Sequence, residues 1–456
     1  MNAGMSDTLD LIRSAVAGMA WPAVPDNTGA RALAMQFQLD QSQWWSPQAL
    51  AHHQMRQLRL LLRHAAASVP YYRDCFARVG INADSDFAVE DFQRLPVLTR
   101  GNVQEAATAL YSTACPQEHG AQMEGQSGGS TGTPIHFRGT ELNNLLWHAF
   151  TMRDHLWHGR DFGGKLAAIR ARVGADTLPG WGLPVDAVFR SGPAKTLDVA
   201  SDVETQLDWL MREAPDYLLT YPSNLMSLLR VARRRSLQLS RLREVRTFGE
   251  AVAPELRKLC REVWQVPLVD VYSAEEVGNI ALQCPQNTSY HIQSENLLVE
   301  VLDEAGVACE EGCAGLVVVT TLHNYAMPLI RYAIGDFAVR GAACPCGRGL
   351  PVLASINGRR RNMLRLPDGS THWPFFGFQD WIYDMPVRQV QFVQTALDCI
   401  EVRMVAAREL NALAVGQMTR ALRASLGYPF VIAVRYVQQI KRSPLHKYED
   451  FVSELA

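Results

Sequence analysis

The sequence predicts an α/β protein with a large N-terminal α/β domain, containing parallel sheet layers and a small antiparallel β region, and a small α+β C-terminal domain. Three observations carry the prediction. Short apolar runs alternate with longer amphipathic ones between about residues 217 and 272. That order of strand and helix marks a parallel sheet with covering helices. From Asn296 onward two apolar runs are joined by the turn Asp303-Glu304-Ala305-Gly306, which marks antiparallel pairing. After Gly358 a strand, strand, helix, strand pattern follows in about a hundred residues, within the ordinary size of a domain. The boundary is set there, giving domains 1–358 and 359–456 of the 456-residue chain.

The elements follow in order. The first hundred residues read mostly as helix. Between His52 and Ala67 the residues Met55, Leu58, Leu61, Leu62, Ala65 and Ala66 recur at helical spacing, and Val69-Pro70 stops the run. Tyr217 to Tyr221 reads as a strand, and Pro222, suited to a first helical turn, opens a helix to about Arg235. A strand at Val245 to Phe248, a helix from Pro254 to Trp264 and a strand at Leu268 to Tyr272 complete the alternation. Leu297 to Leu302 and Gly315 to Leu322 form the antiparallel region. The tail reads as strands at Val387 to Val393 and Ile400 to Val405, a helix from about Arg408 to Leu426, and a strand from Phe430 to Val437. Ligands of parallel α/β sheets bind where strand ends meet loops, so the loops after these strands are where chemistry is expected.

Composition narrows the function. Apolar residues make up 48% and charged residues 20%, enough to bury a sizeable core. Net charge is −2, from 44 basic and 46 acidic residues, which provides no electrostatic footprint for nucleic acid or an anionic membrane. The arginine runs 233–235 and 359–361 are too short to change that, and the first reads as a solvated helix end. Asp10 and Arg13 interrupt the partly apolar N-terminal stretch, so neither a membrane span nor a signal sequence is expected, and the protein is placed in the cytoplasm. Nine cysteines, an odd number, do not form a disulfide framework there.

The most informative segment is Gly125 to Pro134, GQSGGSTGTP. Glycines let the backbone approach an anion closely, and successive N–H groups form a nest for phosphate oxygens. Ser127, Ser130, Thr131 and Thr133 add hydroxyl donors. The loop has no lysine, so it is not the P-loop of nucleoside triphosphatases.

This segment resembles the phosphate-binding loop of the adenylate-forming superfamily, and further matches follow in the family's order. Thr247-Phe248-Gly249-Glu250 resembles its G-E segment, and Asp270 to Glu276 (DVYSAEE) its Y-G-x-T-E segment. Arg331 to Asp336 (RYAIGD) is similar to Y-R-T-G-D, Gly358-Arg359 to the hinge G-R, and Arg442 to Lys447 (RSPLHK) to the C-terminal segment ending in G-K. Val69 to Arg73 and Leu95 to Thr99 resemble the phenylacetate–coenzyme A ligase branch, with its capsule-biosynthesis relatives. The similarity runs from about Tyr71 to Val452.

The resemblance implies an AMP-forming ligase that activates an aryl or acyl carboxylic acid with ATP and transfers it to coenzyme A. Its alternatives are transfer to an amine, a hydroxyl or a carrier-protein thiol, and an inactive homologue acting as a scaffold. By the same resemblance Ser127, Gly128, Gly129, Ser130, Thr131, Gly132 and Thr133 hold the β- and γ-phosphates, with Gly249, Glu250 and Arg359 also in the ATP site. Glu276 holds Mg²⁺, a hard cation suited to carboxylate oxygens. Asp336 accepts the ribose hydroxyls, Tyr272 stacks on adenine and Asp270 lies near its amine. Lys447 supplies a compact positive charge to adenylation, and the C-terminal domain rotates about residues 359–362 before the second step. Trp147, Tyr221 and Phe248 are candidate walls for the acid, being large and apolar. A homodimer is left open.

Five residues depart from the family pattern, among them Ser273 for Gly, Glu275 for Thr, Asn362 for the second acidic hinge residue and His446 for Gly. Arg361 likewise replaces the first acidic residue of the hinge. A second constellation is Cys284, His291, Cys344 and Cys346. Thiolates with an imidazole in fourfold coordination suit a structural Zn²⁺, and the branch often carries a C-x-C-G-R segment. Cys309 and Cys313 are competing ligands.

Overall fold

The structure is a computed structural model that describes residues 11–81, 89–127, 134–374, 387–440 and 451–455. The chain divides into two compact units. One comprises Met1–Leu166, Asp176–Lys195 and Asp270–Ile356; the other comprises Ala167–Ala175, Thr196–Val269 and Asn357–Ala456.

In the first unit, the N-terminal part is helical, as the apolar spacing predicts. Ser46 caps the helix Pro47–Ser68 and Pro47 opens it. Its buried face, Leu58, Leu61, Leu62 and Ala65, is the stripe read from the sequence. That face joins one large apolar cluster with Tyr272, Ile280, Tyr290, Val317, Tyr332 and Leu353. The strands beneath it run in the spatial order Leu297–Leu302, Ala314–Thr321, Tyr332–Arg340, Val352–Arg359, Tyr290–Ile292, Gly278–Gln283 and Leu268–Ala274. Leu297–Leu302 pairs antiparallel with Ala314–Thr321, which pairs antiparallel with Tyr332–Arg340. A separate hairpin, Gln122–Gln126 against His136–Thr140, brackets the glycine-rich loop.

The second unit holds the alternating region. Strands Tyr217–Thr220 and Glu244–Phe248 pair in parallel. Helices Val203–Glu213, Pro222–Arg234 and Pro254–Trp264 pack with them around Leu218, Leu225, Leu229, Val245 and Leu259. The arginine run ends its helix in solvent: Arg234 and Arg235 reach Glu204 and Asp208 in exposed ion pairs, which contribute little to stability. The C-terminal part of this unit has a core of its own, built on Phe392, Ile400, Val402, Met418, Leu422 and Phe430. Its four-stranded sheet is mixed: Val387–Ala396 pairs antiparallel with Cys399–Ala406 and parallel with Phe451–Ser453. Helix Ala412–Leu426 covers it, capped by Asn411 and closed by Gly427 at φ 67°.

Candidate active site and cysteine–histidine cluster

In the first unit three carboxylates lie on strands of one sheet or in a connecting turn, each beside a tyrosine hydroxyl. Asp270 is buried; Tyr290 donates its hydroxyl to Oδ2 at 2.9 Å, and the Asp270 N–H donates to Gln283 Oε1 at 3.0 Å. Asp336 accepts at Oδ2 from the Tyr272 hydroxyl at 3.0 Å. Glu276 lies in the turn between Leu268–Ala274 and Gly278–Gln283, with its Oε1 3.5 Å from the hydroxyl of the fully buried Tyr332, a long contact. Glu275 is exposed and Glu276 half-buried, so of the two adjacent carboxylates it is Glu276 that faces the protein.

Local backbone chemistry sets these positions. Gly335 has φ 89°, a value that L residues rarely adopt, and the strand is irregular there. Ala333 pairs with Val318 and Phe337 with Leu316, so Ile334, Gly335 and Asp336 stand opposite Val317 alone. Such a bulge re-aims side chains. The register also shifts beside Tyr272: Tyr272 faces Ala281 and Ser273 faces Asn279. The segment before Thr99 adds a short parallel bridge to the strand Tyr332–Arg340. Leu98 N–H donates to the Arg331 carbonyl at 2.8 Å and Ala333 N–H to the Leu98 carbonyl at 2.9 Å. Arg331 itself is buried structural cation: its guanidinium donates to Glu300 and to the carbonyls of Gln93 and Leu95.

Of the glycine-rich loop, Ser127 is placed and Gly128, Gly129, Ser130, Thr131, Gly132 and Thr133 lie outside the described residues. Ser127 closes the neck of the loop. Its N–H donates to the Ile135 carbonyl at 2.9 Å, and its Oγ accepts from the Ile135 N–H at 3.1 Å and from Arg100 Nη2 at 3.2 Å. Lys447, with Arg442 to His446, also lies outside the described residues. Trp147 is half-buried next to Gly278, and its carbonyl accepts from Asn279.

In the second unit Gly249 takes φ 77° after the strand Glu244–Phe248. Glu250 then accepts from the Ser223 N–H at 2.9 Å and its Oγ at 3.1 Å. This puts a carboxylate at the N-terminus of helix Pro222–Arg234, where the helix dipole favours it. The rings of Tyr221 and Phe248 meet tilted by 37° at a centroid distance of 4.7 Å. The Arg359 carbonyl accepts from Trp373 Nε1 at 3.3 Å, and Asn362 Nδ2 donates to the Phe451 carbonyl at 2.6 Å.

The second constellation is brought together. The ligand atoms of Cys284, His291, Cys344 and Cys346 all lie within 4.8 Å of one another. Cys284 Sγ is 3.7 Å from Cys344 Sγ, and Cys346 Sγ is 3.3 Å from His291 Nε2. A tetrahedron with metal–sulfur bonds of ~2.3 Å has sulfur–sulfur edges of about 3.8 Å, so the donor set fits a tetrahedral cation. The topology explains the meeting. A turn closed by Cys284 N–H on the Ser289 carbonyl returns the chain to Tyr290–Ile292, and His291 pairs with Val352, just beyond the Cys344–Cys346 turn. Burial, with the nearby Arg348 and Arg153, pushes His291 down to about 4, so its imidazole is neutral at pH 7, as a ligand must be. Burial pushes the Cys284 thiol up to about 11. At Cys344 burial acts the same way, but the Cys346 N–H and the Asn287 amide outweigh it and hold that thiol below its ordinary value. Cys309 and Cys313, the competing ligands, are not part of this group.

Among the described residues no helix is long and apolar enough to cross a membrane. No family model matches the chain. In sequence it is 25% identical over 345 residues to a phenylacetate–coenzyme A ligase of Pseudomonas putida, covering 72% of this chain and 74% of that one. A phenylacetate–coenzyme A ligase of Thermus thermophilus is 27% identical over 327 residues, covering 68% and 70%. In fold, the chain matches a 2-hydroxyisobutyryl-CoA ligase in its postadenylation state in complex with R3-HIB-AMP, with a TM-score of 0.68, 20% identity, and coverage of 88% and 89%. The fold is that of the adenylate-forming ligases. Within that class the sequence similarity is to the phenylacetate–coenzyme A ligases, the branch that the motifs predicted.

Proposed function

We propose that the protein is an AMP-forming ligase that activates an aryl or acyl carboxylic acid with ATP and transfers it to coenzyme A. The observation that carries the reading is the set of carboxylate–tyrosine pairs at Asp270, Asp336 and Glu276, on the strands and turn whose sequences resemble the superfamily motifs. An acid carboxylate attacks the α-phosphorus of ATP, forming the acyl–phosphate bond and expelling pyrophosphate. The thiol of coenzyme A then attacks the acyl carbon and AMP leaves. Both partners of the first step are anions, so the protein's work is positioning and charge neutralisation.

Each residue has a task under this reading. Ser127 to Thr133 cradle the β- and γ-phosphates. Glu276 holds Mg²⁺, which neutralises phosphate charge. Asp336 takes the ribose hydroxyls, Tyr272 and Asp270 the adenine. Gly249, Glu250 and Arg359 complete the nucleotide contacts, and Lys447 serves adenylation from the small lid domain, residues 359–456. Tyr221, Phe248 and Trp147 shape the acid site. Cys284, His291, Cys344 and Cys346 hold a structural Zn²⁺, which closes their loops and leaves no coordination position open for catalysis. The enzyme works in the cytoplasm on small molecules.

Pyrophosphate exchange measured across a panel of carboxylic acids tests the first half-reaction, and thioester formation with coenzyme A tests the second. No exchange with any aryl or acyl acid overturns the reading. Exchange without a thioester moves the acceptor to an amine, a hydroxyl or a carrier-protein thiol.

A further inference from the structure

The Tyr272 hydroxyl has a geometry that stacking on a base does not require. Tyr272 is 8% exposed and its ring joins the large apolar cluster. A phenylalanine would satisfy both the cluster and a stacked adenine. Yet the hydroxyl lies 3.0 Å from Asp336 Oδ2. The contact is not a by-product of regular pairing. Tyr272 and Asp336 lie on the strands Leu268–Ala274 and Tyr332–Arg340, which are not neighbours in the sheet. Each residue sits at a register irregularity, and the one at Asp336 carries Gly335 at φ 89°. Two departures from regular sheet thus accompany one hydrogen bond.

We infer that Tyr272 is the positioning residue for Asp336, and that its hydroxyl makes the site selective for a ribonucleotide over one lacking ribose hydroxyls. This rests on the reading of Asp336 as the acceptor for ribose. The physical argument is geometric. An ionised carboxylate rotates about its terminal bond, and a broad two-fold torsion leaves its oxygens unfixed. A hydroxyl donating to Oδ2 fixes the plane of the group and directs its remaining lone pairs toward incoming donors. Two ribose hydroxyls then meet a carboxylate already oriented, so less ordering is needed on binding. A hydrogen bond to a charged group is of the strength that shifts affinity by about tenfold.

The experiment is equilibrium binding of Mg²⁺-ATP and of Mg²⁺-2′,3′-dideoxy-ATP to the wild-type full chain, to Tyr272→Phe, to Asp336→Asn and to the double variant, by calorimetry, with melting temperatures alongside. Tyr272→Phe should weaken ATP by about tenfold and leave dideoxy-ATP unchanged. In the Asp336→Asn background the same change should cost ATP far less, because residues that act as a unit are not additive. Equal weakening of both nucleotides, as a loss of stacking or of fold produces, overturns the inference. So does unchanged ATP binding in Tyr272→Phe. A wild-type chain that binds neither nucleotide overturns the underlying reading of the site instead.

Discussion

The carboxylate–tyrosine pairs and the cysteine–histidine cluster share one run of strands, Leu268–Ala274 through Tyr290–Ile292 and on to Tyr332–Arg340, yet they are held by different means. The carboxylates depend on breaks in the sheet: a glycine at positive φ, two register shifts and a turn. The cluster depends on regular pairing, because His291 against Val352 is ordinary antiparallel ladder that brings two distant turns together. A site at a sheet irregularity can change its side-chain directions while the pairing around it stays. A site at the end of a ladder is tied to that pairing, and losing it loosens the strands. The first arrangement suits chemistry and the second suits a staple.

The contrast sorts variants by what they should damage. The largest expected effect is Lys447→Ala. A positioned charge removed from a transition state costs on the order of 10²–10³ in rate. Pyrophosphate exchange should fall by that much, while chemically made acyl-adenylate should still be converted to thioester at near the wild-type rate. Equal loss in both half-reactions would give Lys447 a structural role.

Next comes Glu276→Gln, which removes a charge and almost no volume. Adenylation should fall by on the order of 10² with the melting temperature unchanged. Glu275→Gln, on the exposed neighbour, should leave the rate within about twofold. The reverse ranking would shift the metal-binding role by one residue.

Cys344→Ser probes the other region. Zinc should accompany the wild-type protein at about one per chain and be lost from this variant. Melting temperature should drop by several degrees, while turnover per folded molecule stays close to wild type. Elemental analysis showing no zinc in protein never exposed to chelator would remove the staple from the comparison. A loss of turnover with stability intact would move the cluster from staple to chemistry.

The two regions were also legible to different degrees in the sequence. Helix Pro254–Trp264 has the limits that its proline and apolar spacing predict, and strands Tyr217–Thr220 and Leu297–Leu302 lie where the apolar runs put them. Side-chain period and Pro placement are local properties, so a single sequence carries them. Asp336 and Glu276 stood out through the motifs around them. Tyr290 did not, because a tyrosine in an apolar strand carries no sign that its hydroxyl meets a carboxylate about twenty residues away. Tyr332 sat inside a recognised motif but its contact with Glu276 arises only from sheet order. Glu250 shows a second kind of gap: its link to Ser223 needs a helix start and a loop from separate segments to meet. For the cysteines, the sequence names Cys284, His291, Cys344 and Cys346 with Cys309 and Cys313 as competitors, and pairing between Tyr290–Ile292 and Val352–Arg359 selects those four over the competitors.

That selection yields the smallest expected effects, and they bear directly on whether the cluster is a defined site or a loose pool of thiols. Cys309 is buried, with its thiol pushed up chiefly by burial, and its Sγ lies 3.7 Å from the Ala314 carbonyl. A Cβ placed on Gly315 would stand 2.5 Å from that sulfur, so the side chain is closely packed between two strands. Serine there is smaller and keeps a donor for the same carbonyl, so Cys309→Ser should cost about 1 kcal/mol or less. Cys313 is exposed, and a surface change away from any such feature stays within about 0.5 kcal/mol. Neither substitution touches the four clustered ligands. Zinc per chain should therefore remain at the wild-type value in both variants, measured beside Cys344→Ser in the same preparation. Zinc lost on changing Cys309 or Cys313 would mean that metal is recruited by sulfur from more than one pair of turns, and the contrast between a bulge-built site and a ladder-built staple would fail at its second term.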